Sequence, residues 1–189
     1  MKTTGNYAII LSLYLILSAC QQMSEKEIDK SAGLNGGFEI SKNDLPVNWL
    51  MYTPNTVPNA DFKIRLDTTI FKEGKQSLRF DVINCSSSGG WHSPGFTNEF
   101  SESGQFEGEG NYKLSFWIRN DGSKYRINAG GVTPKGGDMK KIIESDQQID
   151  DWKYQEYDIS VPTEGHLRME LNILQPGTFW IDDVKIKKN

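Results

Sequence analysis

The sequence has little cysteine and little histidine, and these two shortages exclude several kinds of site. Cys20 and Cys85 are the two cysteines among 189 residues, and His92 and His166 are the two histidines. If the Cys20 thiol is covalently modified, Cys85 has no partner for an intrachain disulfide. No cysteine-based zinc site can form in that case. Serines lie near His92, but no nucleophile-elbow motif accompanies them, so the pattern does not indicate a serine-hydrolase triad.

Positive charge is not in excess, because the formal net charge is −4 and the sequence pI is about 5.3. Nucleic-acid-binding domains need a basic face, so this balance argues against a nucleic-acid partner. Gly130-Gly131 and Gly136-Gly137 do not follow the pattern of a phosphate-binding loop. The chain is small for a glycosidase, which needs two positioned carboxylates. We therefore expect a non-enzyme, and a small glycan-active hydrolase or lyase is kept as an alternative.

Long apolar runs are absent as well. The apolar run from Tyr7 to Leu17 is about half as long as the roughly 20 residues that a membrane-spanning helix needs. Lys2 precedes this run and small residues follow it. A basic start, a short apolar stretch and a small-residue cleavage site are together typical of a signal peptide. The sequence therefore predicts a signal peptide helix over residues 1–19 and no membrane-spanning anchor there.

The residues that close this segment, Leu17-Ser18-Ala19-Cys20, resemble the lipobox of bacterial lipoproteins. The resemblance implies cleavage before Cys20, diacylglycerol on its sulfur and a further acyl chain such as palmitate on its amine. Two or three acyl chains give stable membrane attachment. An ordinary secretory signal with a chance cysteine is the alternative. Residues 20–32 are polar and predict a solvated tether between lipid and domain.

The resemblance also implies a location. A lipid on Cys20 places the protein at the bacterial cell envelope, anchored to a membrane. Gln21 follows Cys20 where lipoproteins kept at the inner membrane often have aspartate, so we expect the outer membrane rather than the inner one.

The remaining residues, 33–189, have the pattern of β-strands throughout. Apolar and polar residues alternate with a period of two, as in half-buried antiparallel strands. Glycine-rich and proline-containing turn signals separate the segments. We predict one all-β domain, a two-sheet antiparallel β-sandwich of jelly-roll type. The strongest alternation falls in Phe62–Leu66, Ser77–Val82, Tyr112–Arg119, His166–Ile173 and Phe179–Ile186.

The order of several short pieces resembles carbohydrate-binding modules of families 4, 9 and 22 and the wider galactose-binding-like jelly rolls. The pieces are Leu34–Glu39, Leu45–Pro46 with Trp49, Gly74–Phe80, Tyr112–Arg119 and Gly177–Val184. The resemblance implies a non-catalytic, lipid-anchored module that binds an oligo- or polysaccharide. Because a fold does not fix function, a structural or protein-interaction lipoprotein without a sugar site is the alternative.

Domains of this kind often hold a structural calcium ion away from the ligand site. The resemblance implies carboxylate ligands at Glu39 and Asp183, with backbone oxygens near Gly37 and Lys75. Such a set suits calcium, which takes six to eight hard oxygen ligands. Acidic residues that are simply solvated at a strand end are the alternative.

Binding candidates follow from side chains that should face away from the core. Trp117 and Arg119 lie opposite the apolar face of their strand. Exposing a tryptophan to water costs free energy, so an outward tryptophan indicates a binding role. Arg79 and Asn172 lie on the outward faces of two other strands. If these strands are sheet neighbours, the four side chains form one concave surface; a merely solvated convex face is the alternative.

The loop Ser86–Phe96 is the second candidate, because it is rich in small residues and contains Trp91 and His92. Loops on a rigid sandwich commonly carry function, although Trp91 folded over the core as a lid is the alternative. Arg126 belongs to a third set with Tyr125 and Asn128. We interpret Trp49 and Trp180 as packing residues.

Overall fold

A computed structural model describes residues 26–100, 108–133 and 135–189. The predicted signal peptide, Cys20 and the beginning of the predicted tether lie outside the described residues. No helix in the described part of the chain is long and apolar enough to cross a membrane.

The described residues form strands and two short 3-10 turns, Lys30–Ala32 and Gly90–His92. The strands are β1 (Ser41–Lys42), β2 (Leu45–Pro46), β3 (Leu50–Tyr52), β4 (Asp61–Asp67), β5 (Ser77–Asn84), β6 (Gly95–Asn98), β7 (Gly110–Asp121), β8 (Tyr125–Thr133), β9 (Gly136–Gly137), β10 (Lys140–Ser145), β11 (Ile149–Val161), β12 (His166–Ile173) and β13 (Gly177–Lys188).

Two antiparallel sheets contain all of these strands except β1 and β2, which pair with each other. The front sheet has the order β10-β8-β12-β6-β3, with β9 paired to β8. The back sheet has the order β11-β7-β13-β5-β4. Each strand with strong sequence alternation turns its apolar face inward between the sheets. The prediction of an all-β, two-sheet antiparallel sandwich is confirmed.

Aromatic side chains fill the space between the sheets. Tyr125 of the front sheet and Phe179 of the back sheet have ring centroids 4.6 Å apart. Trp49 meets Phe96 edge to face at 4.9 Å and donates its indole N–H to backbone carbonyls, so it is a packing residue. Burying one large apolar side chain stabilises a fold by about 1.5–3 kcal/mol, so this core holds the strands that carry the site.

The N-terminal residues from Glu27 onward contact the domain. The backbone N–H of Asn48 donates to the carbonyl of Glu27 at 2.8 Å, and its side-chain amide donates to the carbonyls of Asp29 and Gly33 at 2.7 and 2.8 Å. Asn48 also lies beside Asn98, whose side chain donates to its carbonyl. The described part of the predicted tether is therefore fastened to the domain rather than free in solvent.

A close approach between the two ends of the domain depends on Gly36. Its carbonyl accepts a hydrogen bond from the N–H of Val184 at 2.9 Å, and a Cβ at position 36 would lie 1.9 Å from the Val184 carbonyl oxygen. Only glycine fits this contact. The hydrogen bond between Gly36 and Val184 places the segment that leads to Glu39 beside Asp183.

Candidate functional site

A polar surface covers the outward face of the front sheet. On β12, Leu167, Met169 and Leu171 are fully buried in the core. Because side chains alternate along a strand, Arg168, Glu170 and Asn172 lie on the opposite face.

Strand register arranges these side chains into rows across the sheet. Asn172 lies opposite Arg126 of β8 on one side and Gly95 of β6 on the other, and Tyr52 and Glu144 continue this row at its two ends. The next row contains Lys141, Asn128, Glu170, Thr97 and Leu50. Apart from Gly95 and Leu50, all residues of these two rows have side chains that can form hydrogen bonds.

Side-chain hydrogen bonds between strands of this sheet hold the middle of the face in place. The Tyr52 hydroxyl donates to Glu170 Oε1 at 2.8 Å, and Arg168 Nε donates to Thr97 Oγ1 at 3.0 Å. Burial, together with the negative charge of Glu170, raises the pKa of Tyr52 well above its ordinary value of 10.0. Tyr52 therefore remains a neutral donor, and Glu170 keeps acceptor capacity for a ligand hydroxyl.

Trp91 stands at one end of this polar surface and is 76 % exposed. It lies in the 3-10 turn Gly90–His92, next to His92, which is also exposed. Asn172 Nδ2 donates to the Gly90 carbonyl at 3.2 Å and so holds the turn against β12. The indole is therefore not folded over the core as a lid.

The loop that carries Trp91 is compact. The hydroxyl of Ser93 donates to the Ser86 carbonyl at 2.6 Å and accepts from the N–H of Gly89 at 3.0 Å. Gly89 has φ of +80°, and a Cβ there would lie 3.0 Å from a terminal nitrogen of Arg126. The loop thus rests directly on the polar surface, and glycine permits both the backbone conformation and the contact.

The outward face of the back sheet has a different character. Trp180 is only 4 % exposed, with its indole N–H 3.0 Å from Asp67 Oδ2. The guanidinium carbons of Arg79 and Arg119 lie 4.9 and 5.4 Å from its ring centroid. Arg79 also forms an ion pair with Asp67 at 3.0 Å. These residues make a packed network, in agreement with a packing role for Trp180.

Trp117 lies on the same outward face and is partly covered. Its ring centroid is 5.1 Å from that of Tyr154, and the Lys72 ammonium lies 4.1 Å above it. Lys72 belongs to the segment before β5 that crosses this face, where the N–H groups of Lys72 and Glu73 donate to the buried Asp182 carboxylate at 2.8 and 3.0 Å. Trp117 is thus outward, as predicted, but lies beneath another segment.

The seven predicted binding residues therefore occupy two opposite faces of the sandwich. Trp117, Arg119 and Arg79 lie on the back sheet. Asn172 lies on the other face, because β12 pairs with β6 and β8 in the front sheet. The four outward side chains therefore do not form the single concave surface that was expected if their strands were sheet neighbours. The structure instead brings together the loop and strand residues of the front sheet, namely Trp91, His92, Arg126 and Asn172.

Three further members of the front surface were missed from the sequence. Tyr52 ends a strand of three residues, which is too short to show alternation. Glu144 and Lys141 lie on the edge strand β10, where a register shift interrupts the period of two. Only the cross-strand register identifies these residues as neighbours of Arg126 and Asn128.

The predicted calcium ligands come from three segments that meet at one end of the sandwich. Glu39 Oε1 accepts from the N–H groups of Lys75 and Gln76 at 2.9 and 3.3 Å, and Gly36, next to Gly37, is bonded to the residue after Asp183. Asp183 Oδ2 lies 2.7 Å from Lys185 Nζ. Among the described residues no cluster of three acidic, histidine or cysteine side chains is suited to a metal. Both carboxylates are thus engaged by donor groups of the protein itself, and a calcium ion held by them together with backbone carbonyls stays a prediction.

Comparison with known proteins gives no sequence relative, since no family model matches the chain and no curated protein is significantly similar. Solved structures do match. The xylan-binding module CBM22-1 of Paenibacillus barcinonensis Xyn10C superposes with a TM-score of 0.56 at 12 % identity, covering 81 % of this chain and 91 % of that one. This chain therefore has the jelly-roll fold of that module. The predicted resemblance to carbohydrate-binding modules is confirmed for the fold.

Two further modules of family 22 have the same jelly roll. The CBM22-2 xylan-binding domain of the same Paenibacillus protein has a TM-score of 0.53 at 17 % identity, covering 75 % of this chain and 92 % of that one. The C-terminal family 22 module of Clostridium thermocellum Xyn10B has a TM-score of 0.54 at 14 % identity, covering 86 % and 96 %. At these identities the likeness concerns the fold, and the function has to be argued from the site.

Proposed function

We propose that this protein is a non-catalytic module that binds a carbohydrate on the outward face of its front sheet. The observation that carries the proposal is Trp91, a tryptophan that is 76 % exposed and held at the end of a polar surface. A large exposed aromatic ring costs free energy in water. Its flat face suits the C–H groups of a sugar ring, and this use offsets that cost.

The polar groups beside Trp91 suit the hydroxyl groups of a sugar. Glu170 accepts hydrogen bonds, and Arg126 and Arg168 donate them. Their outward placement on neighbouring strands of a rigid sheet fixes them before a ligand arrives, which reduces the entropy cost of binding. His92, exposed next to Trp91, adds a further polar group at the rim.

The named structural neighbours support this proposal. Both Paenibacillus domains are xylan-binding, and the Clostridium module is studied for ligand binding in its cleft. All three are binding modules rather than catalytic domains. This chain shares their jelly roll over most of its length, which favours a binding module over a hydrolase or lyase.

We further propose that Cys20 is lipidated and anchors this module to the cell envelope, more specifically at the outer membrane. The chain enters the domain through Glu27–Gly33, which contacts Asn48 next to Asn98 at the C-terminal end of β6. Trp91 precedes Gly95, at the other end of β6. A module tethered in this way keeps its Trp91 end away from the point of attachment.

A calcium ion is a separate structural proposal. Glu39 and Asp183 would hold it with backbone oxygens near Gly37 and Lys75, and it would tie the first and last parts of the domain together. The ion would lie apart from Trp91 and would stabilise the fold without contacting the ligand.

The test is a glycan array followed by calorimetry on the full chain in detergent micelles, with calcium present. Trp91→Ala should weaken binding at least tenfold with unchanged thermal stability, because its ring is exposed. Tyr154→Ala is the matched control, since Tyr154 is 47 % exposed on the back sheet. Loss of affinity in Tyr154→Ala alone would move the site to the back sheet.

The alternative, a structural or protein-interaction lipoprotein, predicts a different outcome of the same experiment. The folded protein would then bind no glycan on the array, and Trp91→Ala would alter only the capture of a protein partner. That result would overturn the carbohydrate proposal.

A further inference from the structure

An excess of positive charge borders the Trp91 end of the front surface. Glu144 accepts from Arg126 Nε at 3.0 Å and from Lys141 Nζ at 3.1 Å, and Lys124 Nζ lies 3.3 Å from its other oxygen. Three cations therefore surround one carboxylate. Hydrogen bonds from Lys141, Arg126 and Lys124 lower the pKa of Glu144 to about 2, so its charge is permanent at neutral pH and the local balance stays positive.

This cationic cluster, Lys124, Arg126 and Lys141 around Glu144, adjoins the proposed sugar platform. Arg126 lies directly opposite Asn172 across the strands, and Asn172 holds the turn that carries Trp91. The backbone of Gly89 packs against the guanidinium of Arg126. A ligand stacked on Trp91 would therefore have its next groups over the cluster.

Arg168 adds a second cationic point on the same surface. Its Nε is fixed by Thr97 Oγ1 at 3.0 Å, and no carboxylate of the described residues lies within ion-pair distance of it. Arg65, Arg79 and Arg126, in contrast, each pair with an acidic side chain. A half-buried guanidinium without a carboxylate partner is well suited to bind one in a ligand, because its planar fork matches carboxylate geometry.

Glu170 sits two residues from Arg168 on the same strand face, and its negative charge has to be considered. It is held by the Tyr52 hydroxyl and lies 3.5 Å from the Asn128 amide, so its position is set by neutral donors. Alternate residues of a strand are about 7 Å apart. A sugar hydroxyl can meet Glu170 while a carboxylate on the same or the next sugar ring meets a cation, so one surface accommodates both groups.

We infer that the ligand is an acidic glycan, whose uronate carboxylates are bound by Arg168 and by the cationic cluster beside Trp91. The inference rests on the proposed function and specifies its substrate class. The positive charge of this surface contrasts with the net charge of the whole chain, which is −4. The positive charge is local to the surface that also carries the exposed tryptophan.

The experiment compares each of three polysaccharides in two chemical forms. Affinities of the full chain in detergent micelles are measured for glucuronoxylan, polygalacturonate and alginate, and for the same preparations with their carboxylates reduced to alcohols. At least one native form should bind ten times more tightly than its reduced form. Raising the salt concentration should weaken native binding and leave reduced binding nearly unchanged, because charge pairs at the surface are screened.

Single substitutions test which cations bind the carboxylates of the ligand. Arg168→Gln and Lys141→Gln should each reduce the preference for the native form about threefold to tenfold. Lys187→Gln is the matched control, because it removes one positive charge from an exposed position of the back sheet and should change nothing. An equal effect of Lys187→Gln would mean that only net charge matters and would overturn the inference.

Two further outcomes are distinguishable. Equal binding of native and reduced polysaccharides, still lost in Trp91→Ala, would overturn the acidic ligand and leave the carbohydrate proposal intact. Failure of the folded protein to bind either form or any other glycan would overturn the carbohydrate proposal itself.

Discussion

The side-chain amide of Asn172 donates a hydrogen bond to the backbone carbonyl of Gly90, 3.2 Å away and 82 positions earlier in the chain. Asn172 is 1 % exposed and lies on the outward face of a central strand. This contact joins the loop that carries Trp91 to the sheet that carries the other polar groups of the site. The position of the exposed ring therefore depends on a strand far away in sequence.

Replacing Asn172 should loosen this loop. Asn172→Leu and Asn172→Ala both remove the donor, and a lost hydrogen bond of this kind costs about 1 kcal/mol, or about a fivefold loss of glycan affinity. Limited proteolysis should cut faster between Ser86 and Ser93. If both variants keep full affinity and unchanged cleavage rates, the contact does not position Trp91.

Trp117→Ala should act on stability rather than on binding. The change removes a cross-strand aromatic pair with Tyr154 and the contact beneath Lys72. Such contacts and the buried part of the indole together amount to about 2 kcal/mol. Urea unfolding should register this loss while calorimetry shows glycan affinity within about twofold of the parent. The reverse pattern would assign the ligand to the back sheet.

Asp67 gives a pH-dependent prediction. Burial alone raises the pKa of this carboxyl, but hydrogen bonds from Trp180, Thr69 and Arg79 outweigh it and hold the pKa well below its ordinary value of 3.8. A carboxylate whose pKa is depressed in the folded state stabilises the fold above its unfolded pKa, and this stabilisation is lost as the pH falls toward the folded value.

The corresponding measurement is urea unfolding of Asp67→Asn at pH 7 and at pH 3. The variant should be about 2–4 kcal/mol less stable at pH 7, because Arg79 loses a buried partner. The difference should shrink at pH 3. Asp61→Asn, an exposed acid on the same strand, is the control and should have little effect at either pH. A difference that is constant with pH would contradict the prediction.

The strands that alternate strongly were predictable from the sequence because one face of each is buried. His166–Ile173 is an example, where the predicted and observed strand coincide. The strand Tyr125–Thr133 was missed, although Tyr125 and Ile127 point inward, because the adjacent glycines Gly130 and Gly131 dilute the pattern. Alternation thus identifies a strand only where enough large side chains mark its buried face.

The division of candidates between two faces could not be predicted in this way. Alternation places Trp117 and Asn172 outward on their own strands, and both are outward. It contains no information about which sheet a strand joins, since that depends on pairing between distant segments. The Asn172 strand pairs with β6 and β8, whereas the Trp117 strand pairs with β11 and β13. The two side chains therefore lie on opposite sides of the core.

Calcium should raise the thermal stability of the protein if Glu39 and Asp183 hold the ion. Sites of this kind in extracellular modules bind with dissociation constants of about 10⁻⁴–10⁻³ M. At about 5 mM calcium, linkage then gives a stabilisation on the order of 1–2 kcal/mol, or about 4 °C in Tm.

The variants Glu39→Gln and Asp183→Asn should lose this calcium-dependent rise, and a chelator should lower the Tm of the parent alone. Asp158→Asn is the control, because Asp158 is exposed on the edge strand β11. A Tm that does not respond to calcium in the parent would rule out the ion at this position.

Cys20 should carry the lipid. Cells that express the parent chain and are supplied with radioactive palmitate should yield a labelled protein in the membrane fraction, whereas Cys20→Ala should yield an unlabelled one. Cys85→Ala is the matched control, because it removes the other cysteine, which is partly buried within the domain with its thiol 3.6 Å from the Ile173 carbonyl. Label should persist in Cys85→Ala. Equal label in Cys20→Ala and the parent would contradict lipidation at Cys20. An unlabelled parent that is secreted would instead match an ordinary signal peptide.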